Sequence, residues 1–227
     1  MRHIAIALSL LTSPLAAQTC GGDFDTFRDA VKTEAAARGL DPAATDQFLA
    51  GARFDPSVIK ADRSQGVFQK DFIAFSRALI SQNRLDNARI YGNRNDATFD
   101  RITATFGIPR EVILAFWAFE TDFGQVQGNF NTRDALITLA HDCRRPELFQ
   151  PQVYAAIALT ARGDFDPDTT TGAWAGEIGQ VQMLPGDIIE SGMDGDGDGQ
   201  VDLKGSAADA LMSGANVLSG LDWRANE

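Results

Sequence analysis

One glutamate, Glu120, lies inside a segment that is otherwise mostly apolar and aromatic, AFWAFETDFG at residues 115–124. A carboxylate in such surroundings costs free energy unless it is paired with a cation or kept protonated. Two interpretations are open. Glu120 is either a buried ion-pair partner of an arginine such as Arg101 or Arg133, or a general acid whose raised pKa suits proton transfer near neutral pH.

The helix that begins at Pro109 must position this carboxyl. Four apolar residues at helical spacing are expected to form its core face: Val112, Phe116, Phe119 and Phe123. A second stripe beside it contains Ile113, Trp117 and Glu120. Gly124 is a plausible residue just past the helix, which places Glu120 in the last turn, where the helix dipole raises a carboxyl pKa. Asp122 is expected to point to the opposite side.

The rest of the chain is predicted to be mainly α-helical. Helix signals are seen at residues 23–38, after Asp41-Pro42 and Asp55-Pro56, across 67–91, and in NDATFDRITATFG. From Asp164 to Gly205 glycine, aspartate and threonine dominate, which indicates an irregular insert without strand alternation. A last helix is predicted in SAADALMSGANVLSGL.

The insert contains AWAGEIGQVQMLPGD, in which glycines allow close backbone approach and Gln182 offers both a hydrogen-bond donor and an acceptor. Gln182 is either a ligand-binding side chain or a structural glutamine that bonds loop backbone. Glu177 is interpreted mainly as a solvated loop charge, with a cleft acid as the alternative.

DGDGDGQVD places oxygen donors at alternating positions, as in a calcium loop: Asp194, Asp196, Asp198 and the Gln200 carbonyl. Position 12 of such a loop is Gly205 in place of glutamate. Asp209 could complete the site, or it could form a capping box with Ser206. Calcium here would be structural.

Four segments in order, AFWAFETDFG, DALITLAHDCRRPELF, AWAGEIGQVQMLPGDI and DGDGDGQVDL, resemble the B-type lytic murein transglycosylases, from about Asp55 onward. The resemblance implies a lysozyme-like fold with an EF-hand-like loop that recruits a later aspartate, here Asp209. It implies that Glu120 is the sole catalytic acid and base, without a cofactor, and that Gln182 binds sugar. We place Gly179, Trp117 and Phe123 beside it as substrate-binding residues.

The implied reaction cleaves the β-1,4 bond between N-acetylmuramic acid and N-acetylglucosamine in peptidoglycan and leaves 1,6-anhydro ends. A hydrolytic muramidase is the alternative within enzymes. A catalytically weak, calcium-stabilised peptidoglycan-binding protein also stays open, because the chain ends sooner after its last motif than the catalytic domains of the family do.

The N-terminus is typical of a secretory signal peptide, predicted at residues 1–17, which leaves 18–227 as one domain, apparently short at its C-terminus. We expect a periplasmic monomer without a transmembrane segment. Export favours a disulfide between Cys20 and Cys143, with two unpaired thiols as the alternative. The net charge of −11 argues against nucleic acid as a partner.

Overall fold

A computed structural model describes residues 20–64 and 71–224. The described residues form eleven helices and two short strands: α1 Phe24–Ala37, α2 Pro42–Ala50, α3 Pro56–Arg63, α4 Phe72–Leu79, α5 Gln82–Arg94, α6 Asp96–Phe106, α7 Arg110–Thr121, β1 Phe130–Asn131, α8 Thr132–His141, α9 Pro146–Arg162, β2 Thr171–Gly172, α10 Pro185–Ser191 and α11 Ala207–Gly220. The predicted mainly helical class is therefore confirmed. The predicted signal peptide lies outside the described residues.

Aspartate caps explain where the first three helices begin. The carboxylate of Asp23 accepts the N–H of Thr26 at 2.8 Å, and Asp41 accepts that of Ala44 at the same distance. Asp55 accepts the N–H of Ser57 at 2.8 Å. Each cap satisfies a backbone donor that the first helical turn leaves unpaired, so these starts are encoded locally.

The core is built around α8, whose residues from Ala135 to Ala140 are all buried. This helix packs against α9 and α3, and α9 packs in turn against α2 and α10. Helix α11 closes the other side by packing on α6, α7 and α10. Because α8 is buried on every face over these residues, it is stable only when neighbours surround it.

Three features of the architecture differ from the sequence-based expectation. The helical pattern predicted across 67–91 is divided within its described part, because α4 ends at Leu79 and Ser81 caps α5 by accepting the N–H of Arg84 at 3.2 Å. The insert contains a short helix, α10, and one short strand, β2, which pairs antiparallel with β1 outside the insert, with Phe130 opposite Gly172. Two-residue strands have no alternating pattern that could predict them.

The N-terminal segment is bonded to the end of α8. Cys20 and Cys143 form a disulfide with their Cα atoms 5.2 Å apart. Next to it, the N–H of Gly21 donates to the His141 carbonyl at 2.7 Å, and the His141 ring packs edge-on against aromatic rings of α1 and the α2–α3 connection. These contacts join α1 to the central helix.

No single helix among residues 20–64 and 71–224 is long and apolar enough to cross a bilayer. Helices α6 and α7 reach the required length only as a pair, and a bend of 115° separates them.

Candidate active site

Glu120 is the penultimate residue of α7, in the last turn as predicted. The helix ends earlier than expected, because Asp122 and Phe123 already adopt left-handed backbone, with φ of 53° and 62°, before Gly124 at 82°. Left-handed conformation is unfavourable for residues with a Cβ, so a run of this kind persists only where surrounding contacts enforce it. The chain therefore turns away sharply just after Glu120.

The core face of α7 differs from the predicted stripe. The fully buried residues are Ile113, Trp117, Ala118 and Thr121, whereas Phe119 is 50% exposed. Glu120 follows this buried stripe on its solvent side and is itself exposed. The prediction that Phe119 faces the core is wrong, because the helices packed on α7 contact other positions: Tyr91 of α5 lies against Trp117, and Gly214 of α11 lies against the Phe116 ring.

Both arginines that could have neutralised Glu120 are engaged elsewhere. Arg101 donates to the Gly195 carbonyl at 2.6 Å, and buried Arg133 pairs with Asp134 and Asp168. Among the residues that the structure describes, no lysine or arginine forms an ion pair with Glu120. The ion-pair interpretation of Glu120 is therefore not supported.

Asp122 has an ion-pair partner on another helix. Its carboxylate pairs with the Arg84 guanidinium at 3.0 Å, and Arg84 also donates to the Leu79 carbonyl at 2.6 Å. This contact ties the end of α7 to the α4–α5 connection. Asp122 thus has a structural partner and is not placed to serve as a second carboxylate beside Glu120.

Partial loss of hydration and a nearby negative charge together raise the pKa of the Glu120 carboxyl. Loss of hydration beside the buried residues of α7 is the larger cause, and repulsion by the Glu177 carboxylate adds to it. Both effects favour the protonated form, which is the form that a general acid requires.

Gln180 connects α7 to the glycine-rich loop and was missed by the sequence analysis. Its side-chain oxygen accepts the indole N–H of Trp117 at 3.1 Å, and its backbone carbonyl accepts the hydroxyl of Thr121 at 2.5 Å. Because a buried Trp N–H usually has a hydrogen-bond partner, a glutamine within a buried loop was the feature of the sequence that could have identified Gln180. These bonds flank Glu120 and hold its helix against the loop.

Trp117 and Phe123, predicted to contact sugar, are buried to 2% and 3% exposure. Phe123 stacks on Tyr91 with centroids 5.2 Å apart, and Trp117 packs edge-on against both rings. Burial leaves no ring face for a ligand. The structure therefore places these aromatic residues beneath the site, where they exclude water, and not in its lining.

Gln182 lies in the same loop as Gln180, half-buried and with left-handed backbone at φ 51°. Its amide nitrogen donates to the Gly179 carbonyl at 2.8 Å and to the Gln127 carbonyl at 3.4 Å. Gln127 in turn donates to the Gly124 carbonyl at 2.9 Å. Gln182 is thus joined, through Gln127, to the segment that follows Glu120.

Gly179 has a packing role. It is buried at φ +79°, and an added Cβ would lie 2.5 Å from the Leu203 Cβ and backbone oxygen. The next residue, Gln180, donates its N–H to that same Leu203 carbonyl at 2.9 Å. Glycine is required here because two loops approach each other closely, and the structure shows no side-chain contribution to a ligand.

Glu177 is not the solvated loop charge that we had expected. The residue is half-buried, and its Oε2 atom is buried without a hydrogen-bond partner among the described residues. Burial raises the pKa of its carboxyl, while backbone N–H groups and the Arg145 guanidinium lower it. The structure therefore brings a second carboxylate into electrostatic contact with Glu120.

The aspartate-rich loop brings together carboxylates of Asp194, Asp196 and Asp209, with candidate ligand atoms within 4.8 Å of one another. The backbone N–H groups of Gly199 and its neighbours lower the pKa of Asp194, so this group stays ionised. Ionised carboxylates that converge in this way fit a hard divalent cation. Asp198 lies outside this cluster of carboxylates, and both Asp198 and Gln200 are exposed.

Asp209 is fully buried and organises the loop. Its two carboxylate oxygens accept N–H groups from Gly195 at 2.8 Å, Asp196 at 3.2 Å and Asp202 at 2.8 Å. Only half of the capping box forms, because Ser206 accepts the N–H of Asp209 at 3.2 Å but the Asp209 carboxylate turns toward the loop.

Comparison with known proteins places this geometry in a family. Residues 23–227 match the family described as Transglycosylase SLT domain. The chain is 27% identical over 153 residues to the Membrane-bound lytic murein transglycosylase B of Escherichia coli strain K12, a match that covers 67% of this chain and 42% of the relative.

Among solved structures, the chain is similar to SltB3 from Pseudomonas aeruginosa in complex with NAG-anhNAM-pentapeptide. The TM-score is 0.85 at 33% identity, over 91% of this chain and 55% of SltB3. The Escherichia coli lytic transglycosylase Slt35 in complex with calcium shares the fold, with a TM-score of 0.81 at 24% identity over 94% of this chain and 69% of Slt35.

The chain spans about half the length of the first two of these relatives. The resemblance to B-type lytic murein transglycosylases and the lysozyme-like helical fold are confirmed, while the EF-hand-like loop stays a prediction. The family match covers all but 22 residues at the N-terminus. The chain belongs to the Transglycosylase SLT domain family.

Proposed function

We propose that this protein is a lytic transglycosylase that cleaves the β-1,4 bond between N-acetylmuramic acid and N-acetylglucosamine in peptidoglycan and leaves 1,6-anhydro ends. The observation that carries the proposal is Glu120, a carboxyl with a raised pKa and no cationic partner among the described residues, at a helix end bonded to the loop of Gln182. The SltB3 complex, whose ligand carries an anhydro sugar, supports the same reaction.

In this mechanism Glu120 acts first as the acid. It protonates the glycosidic oxygen as the bond to the leaving sugar breaks, and the 2-acetamido carbonyl of the muramyl sugar stabilises C1. Glu120, now a carboxylate, removes the proton of the C6 hydroxyl, and that oxygen bonds to C1. The proton balance closes on one residue, so no second carboxylate, metal or cofactor is needed for the chemistry.

Gln182 is proposed to hydrogen-bond a sugar. Its amide nitrogen is used by Gly179 and Gln127 within the protein, and its position next to the end of α7 favours contact between the amide and a glycan bound at Glu120. Gly179 contributes by shaping this loop. Trp117 and Phe123 contribute by excluding water beneath Glu120, which strengthens electrostatic effects at the site.

The aspartate-rich loop is proposed to bind one structural Ca²⁺ through Asp194 and Asp196, with Asp209 buried behind them. The calcium complex of Slt35 supports this assignment. A cation would offset the repulsion between these carboxylates and stiffen the connection between α10 and α11.

We further propose that the protein acts as a periplasmic monomer on glycan strands. The disulfide favours an oxidising compartment, and the acidic composition opposes binding to nucleic acid. Size-exclusion chromatography with light scattering tests the monomer, and cell fractionation tests the location.

Hydrolysis is the second candidate, because Glu177 provides a carboxylate that could activate water. The two reactions differ in product mass by one water. A binding protein without catalysis is the third outcome that the same experiment separates.

The test is digestion of purified murein sacculi followed by mass analysis of the released muropeptides. Anhydro products from the unmodified protein, and none from Glu120→Gln, are expected. Glu111→Gln is the matched control, since Glu111 is an exposed glutamate at the other end of the same helix. Reducing-end products would establish a muramidase instead. Sacculus binding without products would refute catalysis.

A further inference from the structure

The end of the aspartate-rich loop is hydrogen-bonded to the residues that support the active site. The carbonyl of Leu203 accepts the backbone N–H of Gln180 at 2.9 Å, and the carbonyl of Lys204 accepts the side-chain amide of Gln180 at 3.2 Å. The same Lys204 carbonyl accepts the side-chain amide of Gln127 at 3.2 Å. These two loop residues are therefore bonded to both glutamines that hold the end of α7 and the segment after it.

The side chain of Gln180 joins the loop directly to α7. Its amide nitrogen donates to Lys204, and its amide oxygen accepts the indole N–H of Trp117 at 3.1 Å. Gln180 is 6% exposed, so water does not readily replace either partner. Because the amide group is planar and rigid, a displacement of the Lys204 carbonyl is transmitted to Trp117, one helical turn before Glu120.

On its other side, the end of the loop is held by the candidate cation site. The Asp209 carboxylate accepts the N–H of Asp202 at 2.8 Å, and the Asp202 carboxylate accepts the N–H of Lys204 at 3.0 Å. Asp209 belongs to the cluster of converging carboxylates. The position of the Lys204 carbonyl therefore depends on how Asp209 is held.

Charge in this cluster opposes the arrangement that the hydrogen bonds favour. Candidate ligand atoms of Asp194, Asp196 and Asp209 lie within 4.8 Å of one another, so ionised carboxylates here repel one another. Asp209 must also hold both arms of the loop at once, through the N–H groups of Gly195 and Asp202. A divalent cation among these oxygens turns the repulsion into attraction and favours the closed arrangement of the two arms.

We propose that Gln180 is a positioning residue that couples the active site to the occupancy of the aspartate-rich loop by a divalent cation. When the loop is closed on a cation, the Lys204 carbonyl fixes the Gln180 amide, and the amide fixes Trp117 and the helix end that carries Glu120. The cation takes no part in the bond changes. The inference rests on the proposed function and extends it, because occupancy of the loop then controls kcat as well as stability.

The first experiment reads the connection without catalysis, in proton–nitrogen NMR spectra recorded with Ca²⁺ and with the chelator EGTA. The chain has three tryptophans, so three indole N–H resonances are expected, and Trp174→Phe and Trp223→Phe assign that of Trp117 by elimination. We expect Ca²⁺ to move the Trp117 resonance, because its acceptor is bonded to Lys204. In Gln180→Met, which keeps the length of the side chain and removes the amide, the resonance should no longer respond to Ca²⁺.

The second experiment measures kcat and KM on soluble, uncross-linked glycan strands of alternating N-acetylglucosamine and N-acetylmuramic acid, with Ca²⁺ and with EGTA. Removal of Ca²⁺ should lower kcat of the unmodified protein about tenfold and change KM less than about twofold, since a small displacement of a catalytic group acts on rate. Gln180→Met should have a low kcat under both conditions, within about twofold of each other.

Gln82→Met is the matched control and should keep the full response to Ca²⁺, because Gln82 is exposed and bonds Asp86 on the surface of α5. Calorimetric titration should show that Gln180→Met still binds Ca²⁺. Thermal unfolding verifies that each variant is folded, and Ca²⁺ should raise the midpoint of every variant that binds it.

A protein that binds Ca²⁺ while its Trp117 resonance and kcat stay unchanged would overturn this inference alone. A Gln180→Met variant that responds to Ca²⁺ like the unmodified protein would do the same. If calorimetry detects no binding of Ca²⁺, the coupling and the structural cation are both refuted. A protein that releases no glycan fragments under either condition would refute the proposed function, whereas the NMR response would still decide whether the loop acts on Trp117.

Discussion

The Thr121 hydroxyl makes two hydrogen bonds that hold the end of α7, and its removal is the most direct test of how the site is supported. Thr121 is 1% exposed, donates to the Gln180 carbonyl at 2.5 Å and accepts the Gly124 N–H at 2.9 Å. Thr121→Val keeps the shape of the side chain and removes both bonds. Glu120 is the preceding residue, so stability and activity should change together.

The expected cost can be worked from these contacts. Two lost hydrogen bonds, with a buried carbonyl and a partly buried N–H left without partners, cost about 2–4 kcal/mol. Thr121→Ser is the control, since it keeps the hydroxyl and loses only one methyl group, at about 1 kcal/mol. For a chain of this size, the larger loss corresponds to a Tm about 4–16 °C lower.

Urea unfolding followed by circular dichroism measures the difference as a change in midpoint at constant slope. We also expect kcat of Thr121→Val on glycan strands to fall about tenfold, because small displacements of a catalytic group reduce rate steeply. If Thr121→Val is as stable and as active as Thr121→Ser, the hydroxyl does not hold Glu120, and the assignment of Gln180 as the support of this helix end is refuted.

Three further predictions concern stability. Replacing Cys20 and Cys143 by serine should lower the free energy of unfolding by about 2–4 kcal/mol, since the bond closes a loop with a sequence separation of 123 and restricts the unfolded chain; an unchanged urea midpoint would contradict this. Gly179→Ala should lower the free energy of unfolding by at least about 3 kcal/mol, because it combines left-handed backbone with a steric clash. Gly163→Ala is the control: at φ +82° with open space around it, it should cost only about 1 kcal/mol. Equal losses of stability in the two variants would refute the argument that two loops approach closely at Gly179. Glu177→Gln should stabilise the protein at pH 8 but not at pH 4. The pKa of the Glu177 carboxyl is raised by burial, so the folded state holds this proton more tightly than the unfolded chain does. The charged carboxylate therefore destabilises the fold above the folded-state pKa, and this destabilisation is absent below the unfolded-state pKa. Urea midpoints of both proteins at the two pH values measure the difference in stability.

Sequence by itself determined the helical class, most helix starts and the position of Glu120. Helix caps such as Asp23 and Asp41 act on backbone groups two or three residues away, so the local sequence encodes them. The helix end expected before Gly124 placed Glu120 in the last turn, and α7 does end directly after Glu120, at Thr121. The ordered motifs supplied the family.

Tertiary structure alone decided which face of α7 is buried and what surrounds Glu120. The choice between the Phe119 and Trp117 stripes depends on where α5 and α11 pack, and both stripes have the same spacing in sequence. The roles of Gln180 and Glu177 depend on contacts that join residues about sixty positions apart, since the loop that carries them folds back against α7. Local patterns carry no information about such contacts, because hydrogen bonds and charge repulsion between distant segments arise only once the chain has folded.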